Sequence, residues 1–289
     1  MLKPEPGKKI LDATLGAGGH AQALLERGVQ LTGVDQDEEA LAFAKQRLQR
    51  FGAQFRAVHG NFAEVLEATS DSFDGLLMDL GICSRQLEAG ERGFSFQKDG
   101  PLDMRMSKEG KTAAQWIGLW EEKRLAAILR EFGEERFAHS IARVLKQRLP
   151  QTTLEAVSCV ERAVPRALWP RKIHVATKTF QALRIAVNGE LEVLKAALER
   201  IPKCLNVGGI VAVISFHSLE DRLIKQKFLA LCGRTPLLAE QARLPIAGAW
   251  PKEAAFSLLT PKAIRPSEAE VLQNPRARSA KLRAILRLV

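Results

Sequence analysis

Tyrosine is absent from this sequence of 289 residues. Any stacking on a planar side chain must therefore fall to Phe, Trp, His or Arg. Cysteine is scarce: Cys83, Cys159, Cys204 and Cys232 lie far apart, with no C-x-x-C pair. That spacing argues against a zinc site, so no metal is expected, and a chain this long needs no disulfide framework. Scattered reduced thiols point to a cytoplasmic location, or to an organelle matrix or stroma in a eukaryotic source. No apolar run approaches the roughly 18 residues of a membrane span. The N-terminus, from Met1 to Lys9, has no signal-peptide core. Internal repeats and low-complexity tracts are also missing. What is present is a composition with 46% hydrophobic and 26% charged residues. Those values are ordinary for a folded chain and exclude a disordered one. The length fits one large domain, or one domain with a smaller one inserted.

The net charge of +10 is unevenly placed. Residues 162–184 hold six basic side chains and no acidic one, and residues 260–289 hold seven basic and two acidic. The remainder is close to neutral. Two basic segments on a near-neutral body suggest a local footprint for a polyanion.

Short apolar runs alternate with helical stripes over the first 81 residues. Strands are expected at 9–15, 29–35, 55–59 and 73–79, and helices at 21–27 and 38–51. This alternation predicts a parallel sheet covered on both faces. Residues 82–112 read as a long polar loop, a kind that is usually functional. From 113 to 187 the pattern is helical, with stripes at Leu125, Ile128, Leu129, Phe132 and at Phe137, Ile141, Val144, Leu145, and a break at Gly133. A helix over 190–205 is expected to end in the turn Asn206-Val207-Gly208-Gly209, followed by a strand at 210–216. After a polar stretch with Pro and Gly, the last strands fall at 256–260 and 281–288. The expected organisation is a sheet domain of residues 1–112 and 188–289, with a helical domain inserted at 113–187.

Asp12-Ala13-Thr14-Leu15-Gly16-Ala17-Gly18-Gly19-His20 joins the first strand to a helix. Glycines there let the backbone approach a ligand, and a helix start favours an anion. Asp35 ends the second strand, where a carboxylate can accept both ribose hydroxyls of an adenosine ligand. NAD and S-adenosylmethionine both fit that geometry. The glycines come late for a pyrophosphate cradle, and an acidic residue before them suits the ammonium of a methionine moiety, so the methyl donor is favoured. The competing reading of Asp12 is a solvated strand-end carboxylate. Asp79 ends the fourth strand and faces the same crevice.

Longer motifs go further. The run Asp79 to Leu87, then Glu91-Arg92-Gly93-Phe94-Ser95-Phe96, then Asp99 to Met106 closely resembles the MraW-type family of ribosomal small-subunit RNA cytosine-N4 methyltransferases. The runs Ala176 to Asn188, Ser215 to Arg222, Arg265 to Glu268 and Asn274 to Ser279 match as well, in family order across nearly the whole chain. The resemblance implies a class I methyltransferase (Rossmann-like) α/β sheet with an inserted all-helical substrate-recognition domain. It implies S-adenosylmethionine as donor, and a cytosine in the decoding (P-site) region of small-subunit rRNA as acceptor. The expected partner is that rRNA or the small ribosomal subunit, with no membrane; a homodimer stays open. The family's cofactor contacts carry over to Gly18, Gly19, His20, Asp35, Phe62, Asp79 and Gln86. Of these, the sheet pattern alone reaches Gly18, Gly19, Asp35 and Asp79.

The sequence departs from the family pattern in three places. Cys83-Ser84-Arg85 stands where Ser-Ser-Pro is usual. Gly189 follows Asn188 where another residue is common, which is expected to loosen the next helix start. A leading segment with a His-x-Pro-Val-Leu motif does not precede the first strand. An exocyclic amine is a poor nucleophile, so a site helps by orienting it and receiving its proton. The Asn/Asp-Pro-Pro-aromatic motif of many base-amino methyltransferases is replaced here by Asp79-Leu80-Gly81-Ile82. Substrate-side candidates are Asp103, Arg105, Asn188, Ser215 and His217; none is singled out as a general base. An internal ion pair is an equal reading for Asp103 with Arg105, as is a structural role for His217. Phe94, Phe96 and Trp169 could hold an unstacked base or pack in the core. Arg166, Arg171, Lys172 and Lys178 are the phosphate candidates. The competing functions are a catalytically weakened rRNA-binding assembly factor, and a methyltransferase acting on another nucleic acid or a small molecule.

Overall fold

A computed structural model describes residues 1–234 and 254–289. It divides into a unit of Met1–Gly81 with Glu192–Val289, and a second unit of Ile82–Leu191.

The first unit is built on a sheet of seven strands: β1 (Lys9–Asp12), β2 (Gln30–Asp35), β3 (Phe55–His59), β4 (Phe73–Asp79), β5 (Leu205–Ser215), β6 (Phe256–Leu258) and β7 (Lys281–Arg287). Their order is β3-β2-β1-β4-β5-β7-β6. The first five run parallel, and β7 lies antiparallel between β5 and β6. Successive residues face opposite sides of a strand. Leu11, Leu76, Val211 and Ile285 enter one core with Leu198, Ile201, Ile224 and Phe228. Ile10, Leu77, Ala212 and Ala284 enter the other with Leu24, Leu25, Leu41 and Leu48. The helices covering the faces are α1 (Gly19–Leu25), α2 (Glu38–Leu48), α3 (Phe62–Ala68), and, later in the chain, α10 (Glu190–Cys204) and α11 (Ser218–Leu231). Burial on both faces explains why β4 and β5 read as continuous apolar runs. The chain order reverses between β1, which leads outward to β2 and β3, and β4, which leads to β5. Ligands of open α/β sheets bind beyond the carboxyl ends of the strands at such a reversal.

The second unit holds α4 (Ser84–Glu88), α5 (Ala113–Leu119), α6 (Glu122–Gly133), α7 (Ala138–Arg148), α8 (Thr153–Ala163) and α9 (Thr177–Asn188). Leu125, Ile128, Leu129, Ile141 and Leu145 are buried in its core, as the helical stripes predict; Phe132, Phe137 and Val144 pack at its margin. Helix α10 (Glu190–Cys204) then leads to β5, and α11 (Ser218–Leu231) and α12 (Glu268–Gln273) follow. None of the described helices is long and apolar enough to cross a membrane.

Three expectations need correction. Residues 82–112 and 188–191 cluster with the helices rather than the sheet. The reason is packing: Phe94, Leu102, Met104 and Met106 are buried among α5 to α9. Residues 206–209 do not end a helix. They form a bulge inside β5, where the register with β4 shifts between Phe73 and Gly75. The break between the two stripes falls where expected, with α6 ending at Gly133. The left-handed residue is Glu134, at φ 49°, while a Cβ on Gly133 would meet the Lys178 carbonyl oxygen at 2.6 Å. Gly133 is there so that α6 and α9 can approach. Finally, Gly189 does not loosen the next helix: at φ 58° it closes α9, and α10 starts at Glu190. The Pro- and Gly-containing stretch before β6 lies largely at 235–253, outside the described residues.

Candidate active site

Three strands deliver carboxylates to the reversal point. Asp12 is the last residue of β1, Asp35 of β2 and Asp79 of β4. The turn after β1 is tied to its neighbours. Gly16 donates its N–H to Asp35 Oδ2 at 2.7 Å, and the Asp79 N–H donates to the Thr14 hydroxyl at 2.6 Å. Gly18 enters α1 at φ 75°, a left-handed conformation that L side chains rarely adopt, and a Cβ there would meet Leu48 Cδ1 at 3.1 Å. Gly19 and His20 open α1 and are exposed.

Asp12 is only 1% exposed. One of its oxygens accepts the Thr14 N–H at 3.2 Å; the other, Oδ2, is buried with no hydrogen-bond partner among the described residues. Asp79 Oδ1 is in the same state. His20 Nε2 lies 3.3 Å from Asp79 Oδ2. Burial pushes the Asp12 carboxyl from 3.8 up to about 7 against the pull of His20, and the nearby Asp79 and Asp35 charges push the same way. His20 is raised by its hydrogen bond to Asp79 and by the two carboxylate charges, against burial. Asp35 is raised by burial, partly opposed by the N–H bonds from Asp37 at 2.9 Å and from Gly16. Buried polar atoms are normally paired. Two orphaned carboxylate oxygens, one of them on the Asp12 carboxyl that burial forces toward its protonated form, make a place that a cation would relieve. That fits the ammonium end of S-adenosylmethionine. The two oxygens of Asp35 already take N–H bonds from Gly16, Asp37 and Gln36, and the remaining acceptor capacity of the carboxylate is open to a ribose hydroxyl. Phe62 starts α3 just past the end of β3, packed at the core margin.

The other candidates are held by the fold. Asp103 and Arg105 form a two-point ion pair with both distances at 2.8 Å, and Arg105 also donates to the Lys108 and Gly110 carbonyls at 2.6 and 3.1 Å. Burial alone would raise Asp103, but the Arg105 bonds hold it below the usual carboxylate range. Asn188 accepts the Met106 N–H at 2.7 Å and donates to the Met104 and Arg184 carbonyls, both at 2.8 Å. Gln86 accepts the Cys83 N–H at 3.0 Å in a capping box on α4. Ser215 is buried at the end of β5, 3.4 Å from the Lys281 carbonyl. His217 caps α11 through Nδ1, which accepts the Glu220 N–H at 3.4 Å; buried Glu220 returns a bond to the His217 N–H at 3.3 Å. Each of these five substrate-side candidates thus has an internal structural task. The sequence offers Asp12 for an ammonium group, though the family's carried-over contacts omit it, and it assigns no role to Thr14 or Glu220. The strand-end position was the available signal for Asp12; Glu220 was visible as the third residue of a helix start.

The basic segments divide. Arg166, Arg171 and Lys172 are exposed, whereas Lys178 donates to the Glu134 carbonyl at 2.9 Å and Arg184 pairs with Glu190 at 2.8 Å. In the C-terminal segment Lys281 and Arg283 both pair with Asp221, at 3.1 and 2.7 Å. Arg287 binds the Pro202 and Leu205 carbonyls. Part of that charge holds the sheet together and is not offered outward.

A family model described as the MraW methylase family matches residues 1–288. The chain is 53% identical over 290 residues to the ribosomal RNA small subunit methyltransferase H of Myxococcus xanthus, covering 100% of this chain and 94% of that protein. It is 50% identical over 293 residues to the protein so named from an Anaeromyxobacter species, covering 99% and 93%. With that of Citrifermentans bemidjiense it shares 45% identity over 297 residues, covering 98% and 94%.

Proposed function

This chain belongs to the MraW methylase family, and on that premise we propose that it methylates the N4 amine of a cytosine in the decoding region of small-subunit ribosomal RNA, with S-adenosylmethionine as donor. The observation that supports the donor most directly is the trio of strand-end carboxylates at the reversal point, two of them with orphaned buried oxygens. When bound, the donor supplies a methyl group on a positively charged sulfur. Asp12 and Asp79 would hold its ammonium end and Asp35 its ribose hydroxyls, and Phe62, at the start of α3, would offer an apolar contact to the adenine. Gly18 and Gly19 keep the turn free of side chains, and His20 balances the carboxylate charge. Gln86 shapes the start of α4 by capping it.

The amine needs alignment and a way to lose its proton, and a buried, dry setting strengthens each hydrogen bond that supplies them. Asp103, Arg105 and Asn188 fold the segment that follows α4, and Ser215 and His217 fix the turn after β5. We assign these residues to holding their own segments in shape, not to proton transfer. The target base must leave its stack to be reached, and the exposed Arg166, Arg171 and Lys172 supply phosphate contacts for the RNA.

The reading is tested by mapping methylation of small-subunit rRNA in cells with and without the gene. Loss of the N4-methyl mark on one decoding-region cytosine, restored by the purified protein and S-adenosylmethionine, is expected; identical methylation in both strains refutes it. A narrower test is Asp35→Ala. Losing a charged hydrogen-bond acceptor for two hydroxyls should weaken cofactor binding by about ten- to a hundredfold in calorimetry, with rRNA affinity unchanged. Equal cofactor affinity would remove Asp35 from the ribose contact.

A further inference from the structure

Residues 165–174 stand apart from the helices around them. The segment is bracketed by Pro165 and interrupted by Pro170, and its only regular feature is a short 3-10 turn at Arg166–Leu168. It leaves Arg166, Arg171 and Lys172 exposed, with Arg162 just before it. None of these four cations has a carboxylate partner within ion-pair distance among the described residues. The one acidic contact nearby is Glu161, 3.7 Å from His174. Two aliphatic side chains are exposed among the cations: Leu168 at 51% and Ile173 at 37%.

The aromatic side chains in the segment are pre-set. The Trp169 indole N–H donates to the Val164 carbonyl at 3.0 Å, which fixes the ring's orientation. The Arg166 guanidinium lies 5.7 Å from the centre of that ring. His174 lies 6.4 Å from Trp169 and 4.8 Å from Phe96, which meets Phe180 edge-on at 4.9 Å. Trp169 is half-buried, so its base is anchored in the core while part of the ring reaches solvent.

We propose that residues 165–174 form a surface for unpaired RNA nucleotides outside the target cytosine, with the Arg166–Trp169 pair as a stacking face for a base and Arg171 and Lys172 on the neighbouring phosphates. This rests on the reading that RNA is the substrate. Uncompensated positive charge selects a polyanion. Planar and aliphatic groups set among the cations select one whose bases are exposed, since bases in a duplex offer no free faces. Single-stranded nucleic acid is bound in this way, by charge along the backbone and by stacking on aromatic or guanidinium planes. An anchored indole loses little freedom when a base stacks on it. An anionic membrane would also attract cations and aliphatics. It favours an amphipathic helix, which this segment lacks.

The test uses the full chain and a fluorescein-labelled uridine dodecamer, compared with an abasic oligonucleotide of the same length. Uridine carries no exocyclic amine, so the assay is blind to methyl transfer. Failure of the methylation reading and failure of this one are therefore separate results. The uridine oligomer should bind more tightly than the abasic one. Trp169→Ala should weaken uridine binding by about five- to a hundredfold and leave the salt slope unchanged. Arg171→Glu with Lys172→Glu should instead lower the slope of log K against log salt by about 1.4, the single-strand value for two phosphates. Should Trp169→Ala fold poorly, Trp169→Phe serves. It should keep most of the affinity, while the intrinsic tryptophan quenching seen with wild type disappears. With no tyrosine in the chain, that emission comes from tryptophan alone. Equal binding of the abasic strand, quenching that persists in Trp169→Phe, or tighter binding to phosphatidylserine vesicles than to the oligomer would each overturn the proposal.

Discussion

Asp12→Asn should weaken S-adenosylmethionine binding by about ten- to a hundredfold, the scale of a lost charged hydrogen bond, and at the same time make the free protein more stable. The two effects share one cause. Burial has taken the Asp12 carboxyl from 3.8 to about 7, so near neutral pH the free protein holds a carboxyl group that resists ionising. A bound cation rewards the charge; an empty site does not. Because the pKa is raised by folding, the folded state binds an extra proton between pH 3.8 and about 7. Stability is therefore greatest at the acid side of that window and falls as pH rises through it. Raised Asp35 and His20 act with the same sign. Thermal melts of the free protein from pH 5 to 8 should show this decline, and Asp12→Asn should flatten it. At pH 8 the variant should gain roughly 1–3 kcal/mol, the scale of an uncompensated buried polar group. Calorimetry of cofactor binding to the wild type, in buffers of different ionisation enthalpy, should report proton release near pH 7. A melt profile with the same slope in both proteins would show that Asp12 is not the group responsible.

Asn188→Ala should destabilise the helical unit by roughly 2–4 kcal/mol, because removing one side chain strands several partners. The Asn188 amide joins the end of α9 to the segment between α4 and α5 through the Met106 N–H and the Met104 carbonyl. Met104 itself sits at φ 63°, which this staple helps to hold. Amide exchange at Met106 should accelerate strongly in the variant, while exchange in β4 and β5 stays as in wild type. Unchanged protection at Met106 would mean the segment is held by Arg92, whose guanidinium reaches the Arg105 and Met106 carbonyls at 3.0 and 2.9 Å.

What the sequence disclosed followed from local patterning. Strand–turn–helix alternation put Asp35 and Asp79 at strand ends, and those ends meet because parallel strands share one carboxyl edge. The helical stripes of α6 and α7 were visible for the same reason: one side of a helix repeats at its own period. The segment 82–112 was opaque, since Phe94, Leu102, Met104 and Met106 are buried at spacings that match neither a helix nor a strand. The chemical look of Asp103, Arg105 and Asn188 did not separate a structural role from a substrate role. A carboxylate, a guanidinium and an amide serve a folded loop with the same hydrogen bonds that would serve a substrate. The basic C-terminal segment was legible as charge but not as structure, because the Asp221 carboxylate that absorbs Lys281 and Arg283 is sixty residues away and leaves no local trace.

The adjacency of β4 and β5 sets a folding problem. These two central strands pair directly, with Met78 opposite Val213, yet residues 82–191 lie between them. Closing so long a loop is slow when the chain is disordered. The helices of the insert join close neighbours in sequence and need no such closure. Folded first, a body of this size has a radius of gyration near 13 Å instead of about 30 Å, which shortens the search that β4 makes for β5. During synthesis the insert also leaves the ribosome before β5, β6 and β7. The helical unit is thus placed to act as an early folding centre, and a variant that slows its collapse should delay assembly of the sheet even where no sheet residue has changed.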